Sequence, residues 1–283
     1  MAWRLSCSST GGEALHEHLA AAYNAMFVQG KVLPELCDGV LIALNKPGKP
    51  RVVSQTRPIT LLTVMRKILS LVALARTHPF LREFIPADQC AFTPGRSAPE
   101  IIFCYRVLAG VAEKFNRELQ VFGIDMSKAF DTVDRQKLLS FLKSRLPSAT
   151  YRIIRVLLSS TTLRPRVGGK LASASFLTYM GTFQGDGISP ALFIIYVEMA
   201  SAYLWEHGVL PPHSSFPLRM ETKYADDWDF VYEDPGDAVA LERDLQSVLS
   251  HFNLKENPTK REQNATRLCA GAPSASMRRS SAV

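Results

Sequence analysis

Two adjacent carboxylates, Asp226 and Asp227, stand in the tetrapeptide Tyr224-Ala225-Asp226-Asp227, between stretches that read as strands. Aspartate is depleted in strands, so a pair at this place calls for a cause. Two such charges about 4 Å apart repel by roughly 4 kcal/mol at an effective dielectric near 20, and a fold that keeps them offers solvent or a cation. A surface hairpin tip would account for the tetrapeptide taken alone. Residues 121–124, however, form a compact apolar run ending in Asp125, as a buried strand with a carboxylate at its tip would. If the two strands are neighbours in one sheet, Asp125 and Asp226 converge and can bridge two Mg²⁺ ions, the arrangement that drives phosphoryl transfer. Asp131 and Asp134 read instead as a turn residue and an N-cap.

The elements that must position these groups are partly legible. Leu15, Leu19, Tyr23, Met26 and Phe27 recur at helical spacing before Gly30, predicting a helix with a glycine stop. Residues 40–44 predict a strand that runs into a basic loop broken by proline and glycine, residues 45–50. Arg57-Pro58 is expected to open a helix over residues 59–75, and Ser97-Ala98-Pro99-Glu100 has capping-box spacing for another reaching residue 118. Leu138, Leu142 and Leu146 share a helical face that Pro147 ends. Ser189-Pro190 opens a strongly apolar helix to about residue 208. Leu241, Leu245, Val248, Leu249 and Phe252 define a last helix, and the Ser-, Ala- and Arg-rich residues 273–283 are expected to be disordered.

Composition narrows the function. The chain has 283 residues, 47% of them hydrophobic, enough for one large domain with a satellite or two intimate ones. Its first residues are small and polar, and no apolar run has the length of a membrane span, so a soluble intracellular protein without a membrane partner is expected, in cytoplasm or nucleus. Five scattered cysteines without a Cys-x-x-Cys pair argue against a disulfide framework and a zinc site. The net charge of +7 is moderate, but its distribution is one-sided. Residues 39–82 and 135–185 contain lysine and arginine and no acid, which favours a track for a polyanion, with nucleic acid the first candidate.

These residues carry a resemblance. Residues 122–133, the segment Gly181-Thr182-Phe183-Gln184-Gly185-Asp186-Gly187-Ile188-Ser189-Pro190, and Tyr224-Ala225-Asp226-Asp227 resemble three successive polymerase motifs of reverse transcriptases. Arg57-Pro58-Ile59 with Arg66-Lys67-Ile68 resembles the upstream motif of non-LTR (LINE-type) retrotransposon enzymes, and residues 89–97 the next, with Ala91-Phe92 where related sequences usually have Gly-Phe. Asn257-Pro258-Thr259-Lys260 resembles the lysine-bearing motif beyond the active site. Each piece alone is weak; their joint occurrence in the family's order is specific.

The resemblance implies an α+β polymerase right-hand fold, with an antiparallel palm sheet and helix-rich fingers; residues 261–283 are too short and polar for the thumb that the family has, so a thumb largely absent is expected. The expected division is an N-terminal helical extension (1–38), a fingers-like region (39–120), a palm with interleaved finger elements (121–262) and a disordered tail (263–283). Asp125 and Asp226 would hold metal, with Asp227 supporting the same site and the Met126 carbonyl as an added ligand. Phe130 would be the steric gate against the ribose 2′-hydroxyl, Lys46 and Arg57 the clamp over the triphosphate, and Gln184 and Gly185 the neighbours of the incoming nucleotide. Lys260 would donate a proton to pyrophosphate. The implied activity is RNA-directed DNA synthesis, with two Mg²⁺ ions (Mn²⁺ as a substitute), template RNA, a DNA primer and dNTPs. Two alternatives stay open: an inactive or weakly active nucleic-acid-binding fragment of a retroelement protein, and a group II intron maturase-type reverse transcriptase.

Overall fold

The computed structural model describes residues 12–48, 50, 52, 56–117, 119–207, 220–232, 235–257 and 262–264. The chain divides into two compact units, one of Met1–Pro86, Lys128–Ala200 and Phe252–Leu254, the other of Ala87–Ser127, Ser201–His251 and Lys255–Val283. Elements are numbered along the chain.

The first unit opens with helix α1 (Glu13–Gln29), which Gly30 ends in a left-handed conformation while its N–H bonds the Met26 carbonyl, the stop that the sequence predicts. Strand β1 (Asp38–Asn45) pairs antiparallel with β2 (Thr56–Leu62) and parallel with β4 (Thr162–Val167). The short strands β5 (Lys170–Leu171) and β6 (Phe176–Leu177) both pair with β4. The helix expected from residue 59 is therefore a strand up to Leu62. The β-branched run Thr56, Ile59 and Thr60 fits a pleated surface, and Pro58, which has no N–H to give a ladder, lies on a strand paired on one side. Helix α2 (Val64–Phe84) begins only after Thr63, whose hydroxyl accepts from the Arg66 N–H as an N-cap.

Helices α4 (Ala129–Thr132), α5 (Arg135–Lys143) and α6 (Ser148–Ser159) follow in the same unit. Asp134 caps α5 by accepting from the amides of Gln136 and Lys137, in the role read from sequence. Helix α6 has no counterpart among the elements expected from sequence; its apolar residues Ile153, Ile154, Leu157 and Leu158 are buried and it packs on α1 and α5. Helix α7 (Ser189–His207) is buried on all sides from Ala191 to Val197, which explains its apolar sequence.

The second unit is built on a four-stranded antiparallel sheet in the order β7 (Met220–Tyr224), β8 (Asp227–Tyr232), β3 (Gln120–Asp125) and β9 (Glu262–Asn264). Phe122 and Ile124 of β3 and Trp228 and Phe230 of β8 are fully buried. Helix α8 (Pro235–His251) packs on β8 through the apolar face expected from its sequence. Helix α3 (Ala98–Lys114) sets Leu108 and Ala112 against Leu119, Tyr105 and Val231. It ends four residues before the expected residue 118, and the Ser97 side chain makes no capping bond, so only the start of this helix follows the sequence signal. Residues 273–283 lie outside the described residues.

Candidate active site

The second unit brings the three predicted carboxylates to one end of one sheet. Asp125, the last residue of β3, stands in register with Asp227, the first of β8. Asp226 occupies the two-residue turn between β7 and β8, and its carbonyl accepts from the Met126 N–H at 3.1 Å. On the far side, Asn257 N–H bonds the Asp125 carbonyl at 2.8 Å and Ser127 N–H bonds the Lys255 carbonyl at 2.7 Å. The Asn257 amide also donates to Asp125 Oδ1 at 3.3 Å. Backbone contacts thus hold the tip of β3 from both sides. Asp125 and Asp226 are half-buried and Asp227 is exposed.

The sheet is trimmed for this approach. Gly123 faces Asp229 across the ladder, and a Cβ there would meet Asp229 Oδ1 at 2.5 Å. Tyr105 of α3 donates to Asp229 Oδ2 at 2.9 Å and lies 3.1 Å from the Thr222 hydroxyl, tying the helix to β7 and β8; burial pushes its hydroxyl pKa upward.

Beneath the turn lies an ionic cluster that the motif reading missed. Lys223, fully buried, extends its ammonium to Glu221 Oε1 at 2.7 Å, Asp88 Oδ2 at 3.2 Å and the Ser201 hydroxyl at 3.2 Å. Glu221 also accepts from Ser201 at 2.7 Å and from the Trp228 indole at 2.9 Å. Burial raises Asp88 to about 6 against the pull of Lys223. Burial also works to raise Glu221, but Lys223 and the hydrogen bonds from Lys223, Ser201 and Asp88 outweigh it and hold Glu221 below the usual carboxylate range. A sequence signal existed: opposite charges two residues apart on a strand share one face.

The substrate-side residues named by resemblance fall in the first unit. The Gln184 carbonyl accepts from Thr60 N–H on β2 at 2.7 Å, and its side-chain amide donates to Asp131 Oδ1 at 3.3 Å. Asp131 is therefore not a turn residue but the partner of Gln184 on α4. Burial raises its pKa, with the hydrogen bond from Gln184 and the charges of Lys128 and Lys46 opposing. Gly185 has φ +117, and a Cβ there would lie 2.4 Å from the Thr60 carbonyl oxygen, so this position requires glycine on both counts. Phe130 is half-buried and stacks on Phe193 with ring centroids 4.1 Å apart. Lys46 is half-buried, and Arg57, opposite Leu44 in the β1–β2 ladder, is exposed. A cavity of about 190 Å³ opens beside Gln184, Thr60, Pro58 and Asp131. Lys260 lies outside the described residues.

Two arginines counted in the basic blocks do not face solvent. Arg66 donates from Nε and Nη2 to Asp186 Oδ2 at 3.2 and 2.8 Å, and further to the carbonyls of Leu36 and Leu157 and the Thr161 hydroxyl. Arg135 donates to the carbonyls of Gly181, Leu158 and Thr178 and to the Thr178 hydroxyl. Burial and the neighbouring Arg66 charge lower Arg135 to about 10. Both guanidiniums lie over the Phe183 ring, 5.6 and 4.8 Å from its centroid. They hold the Gly181–Gly187 loop from within and give no exposed charge to the basic blocks. Among the exposed basic residues of these blocks are Arg57, Lys67, Arg164 and Arg166.

Asp125 at a strand end, the pinned loop around Gln184, and Asp226 in the β7–β8 turn with Asp227 next to it follow one another in polymerase-motif order. A model of the family described as reverse transcriptase (RNA-dependent DNA polymerase) matches residues 44–268. The chain belongs to the reverse transcriptase family. It is 34% identical over 136 residues to an uncharacterized 149 kDa protein of transposon TX1 from Xenopus laevis, covering 48% of this chain and 10% of that protein. It is 25% identical over 259 residues to a probable RNA-directed DNA polymerase from transposon BS of Drosophila melanogaster, covering 86% of this chain and 27% of that protein. The reverse transcriptase chain thus spans about a quarter or less of the length of these relatives. Among solved structures, apo telomerase from Candida tropicalis truncated from its C-terminal domain superposes with a TM-score of 0.61 at 12% identity, covering 89% of this chain and 55% of that one. Telomerase from Candida albicans in complex with a fragment of telomeric RNA gives 0.57 at 11% identity, covering 88% and 46%. The shared fold is the right-hand polymerase fold, α+β with an antiparallel sheet, as the sequence implied. Among the described residues no helix is long and apolar enough to cross a membrane.

Proposed function

We propose that this chain is the polymerase core of a retrotransposon RNA-directed DNA polymerase of the non-LTR type, extending a DNA primer on template RNA with dNTPs. The observation that carries the reading is the meeting of Asp125, Asp226 and Asp227 at one sheet end. Residues 39–120 are assigned a fingers-like role and residues 121–262 a palm role with interleaved finger elements.

The carboxylates of Asp125 and Asp226, with Asp227 and the Met126 carbonyl in support, would supply an all-oxygen donor set of the kind that hard divalent cations take. Among the described residues no three acid, histidine or cysteine side chains stand already gathered at metal spacing, so the fit rests on donor type and backbone register. Two Mg²⁺ ions bound there, or Mn²⁺ in their place, would lower the pKa of the primer 3′-hydroxyl and stabilise the leaving pyrophosphate. The remaining work falls to the chain. Lys46 and Arg57 bind the triphosphate, Arg57 through two oxygens at once. Gln184, held by Asp131 and Thr60, and Gly185 present backbone to the incoming nucleotide. Phe130, backed by Phe193, excludes the 2′-hydroxyl. Lys260 is assigned the proton transfer to pyrophosphate. Exposed Arg164 and Arg166 supply charge for nucleic acid.

Primer extension on an RNA template of defined sequence tests the reading. Complementary DNA made by the native protein and lost in Asp125→Asn is the expected result; equal extension by Asp125→Asn overturns it.

A further inference from the structure

The catalytic turn is gripped by a short segment distant in sequence, and this grip rests on the metal-site reading above. Asp88, Gln89 and Cys90 run alongside β7 as a one-residue parallel bridge, with Gln89 opposite Lys223. Lys223 N–H bonds the Asp88 carbonyl at 2.8 Å, and Cys90 N–H bonds the Lys223 carbonyl at 3.0 Å. The side chains repeat the connection. The Lys223 ammonium reaches Asp88 Oδ2, and Gln89 Oε1 accepts from the amides of Ala91 at 3.1 Å and Ala225 at 3.4 Å. Gln89 is fully buried.

Ala225 is where such a grip is needed. It takes φ +58 in the turn, a left-handed conformation that alanine disfavours and that the surroundings must impose. Its N–H is the donor that Gln89 receives, and the next residue is Asp226. Relaxation of Ala225 toward negative φ would rotate the peptide that carries Asp226 and break its carbonyl contact with Met126. We propose that Gln89 is a positioning residue of the reaction: its Oε1 holds the Ala225 amide so that Asp226 is aimed at the divalent cation, with the Asp88–Lys223 contact anchoring the same segment to β7.

The test uses the full chain and Mn²⁺ as the probe, bound Mn²⁺ being read by electron paramagnetic resonance. Single-turnover nucleotide incorporation is measured beside it, because its rate constant does not depend on the fraction of active protein. Gln89→Leu, which removes the acceptor, is expected to weaken Mn²⁺ binding about tenfold, the scale on which partners of metal ligands act, and to slow incorporation with the dNTP KM unchanged. Gln89→Glu, which keeps an acceptor in place, is expected to restore both. A purely structural role would lower the melting temperature and leave Mn²⁺ affinity alone. Hydrogen exchange on the native protein gives a reading that needs no variant: the Ala225 amide is expected to be protected. The proposal is overturned if Gln89→Leu binds Mn²⁺ and reacts as the native chain does, if Gln89→Glu is as impaired as Gln89→Leu, or if the Ala225 amide exchanges as an open turn. Asp226→Asn separates the two failures. Normal Mn²⁺ binding by Asp226→Asn sinks the metal site itself; loss of binding there with normal binding in Gln89→Leu sinks only the grip.

Discussion

Replacing Asp186 by alanine should cost this fold a large share of its stability although the residue touches no expected substrate. Arg66 is fully buried, and Asp186 Oδ2 receives two of its five hydrogen bonds, from Nε and Nη2. The pair is 2.8 Å apart with side chains 0% and 2% exposed, so water cannot take over the role of the lost carboxylate. Removing one partner of a buried pair leaves an uncompensated charge, which costs about 3–5 kcal/mol. Native domains are stable by only about 5–15 kcal/mol. Urea unfolding followed by circular dichroism is therefore expected to show the midpoint of Asp186→Ala lowered by roughly 1–2 M, given a slope of about 3 kcal/mol per molar, the upper end for a chain of this size. Arg66→Met should cost a similar amount, and the double variant should cost less than the sum of the two by about 2 kcal/mol, because no charge is then left alone. A loss under about 1 kcal/mol for Asp186→Ala, or strict additivity, would refute the view that the pair pins the Gly181–Gly187 loop.

Gly185→Ala should raise the dNTP KM, because its Cβ would strike the Thr60 carbonyl at 2.4 Å and φ +117 suits only glycine; steady-state kinetics unchanged from the native chain would contradict that. Phe130→Ala should increase ribonucleotide incorporation relative to deoxyribonucleotide, and an unchanged preference in competition assays would leave Phe130 only its packing on Phe193. Asp88 makes stability depend on pH. Its folded-state pKa of about 6 lies above the ordinary value of 3.8, so its contribution is complete below about pH 4 and is lost as pH rises through 6; two units are on the order of 3 kcal/mol. Asp88→Asn, which mimics the protonated acid, should flatten that decline, and melting curves between about pH 4 and 6 with the same slope in both proteins would exclude it.

Local signals in the sequence survived into the structure, and non-local ones did not. Asp134 could be read as a cap because the two amides that it accepts from lie two and three residues away. Gly30 and the apolar face of α8 were legible for the same reason. Arg57-Pro58 reads as a helix start although it lies in a strand, because the partner that makes it one is β1, and a ladder partner leaves no mark in the strand's own sequence. Arg66 looked like one more charge in a basic block because Asp186 is 120 residues away. Periodicity could place Asp125 at the end of a strand, but only pairing of β3 with β8 sets it opposite Asp227. The grip of Gln89 on Ala225 spans 136 residues and depends on a backbone conformation that the residue type argues against.

On the proposed function, nucleotide addition depends on the carboxylate that the β7–β8 turn carries, Asp226. Single-turnover primer extension on an RNA template, with dNTPs and Mg²⁺, should show product with the native chain and none above background with Asp226→Asn. Asp226→Asn that extends the primer at the native rate would contradict the account.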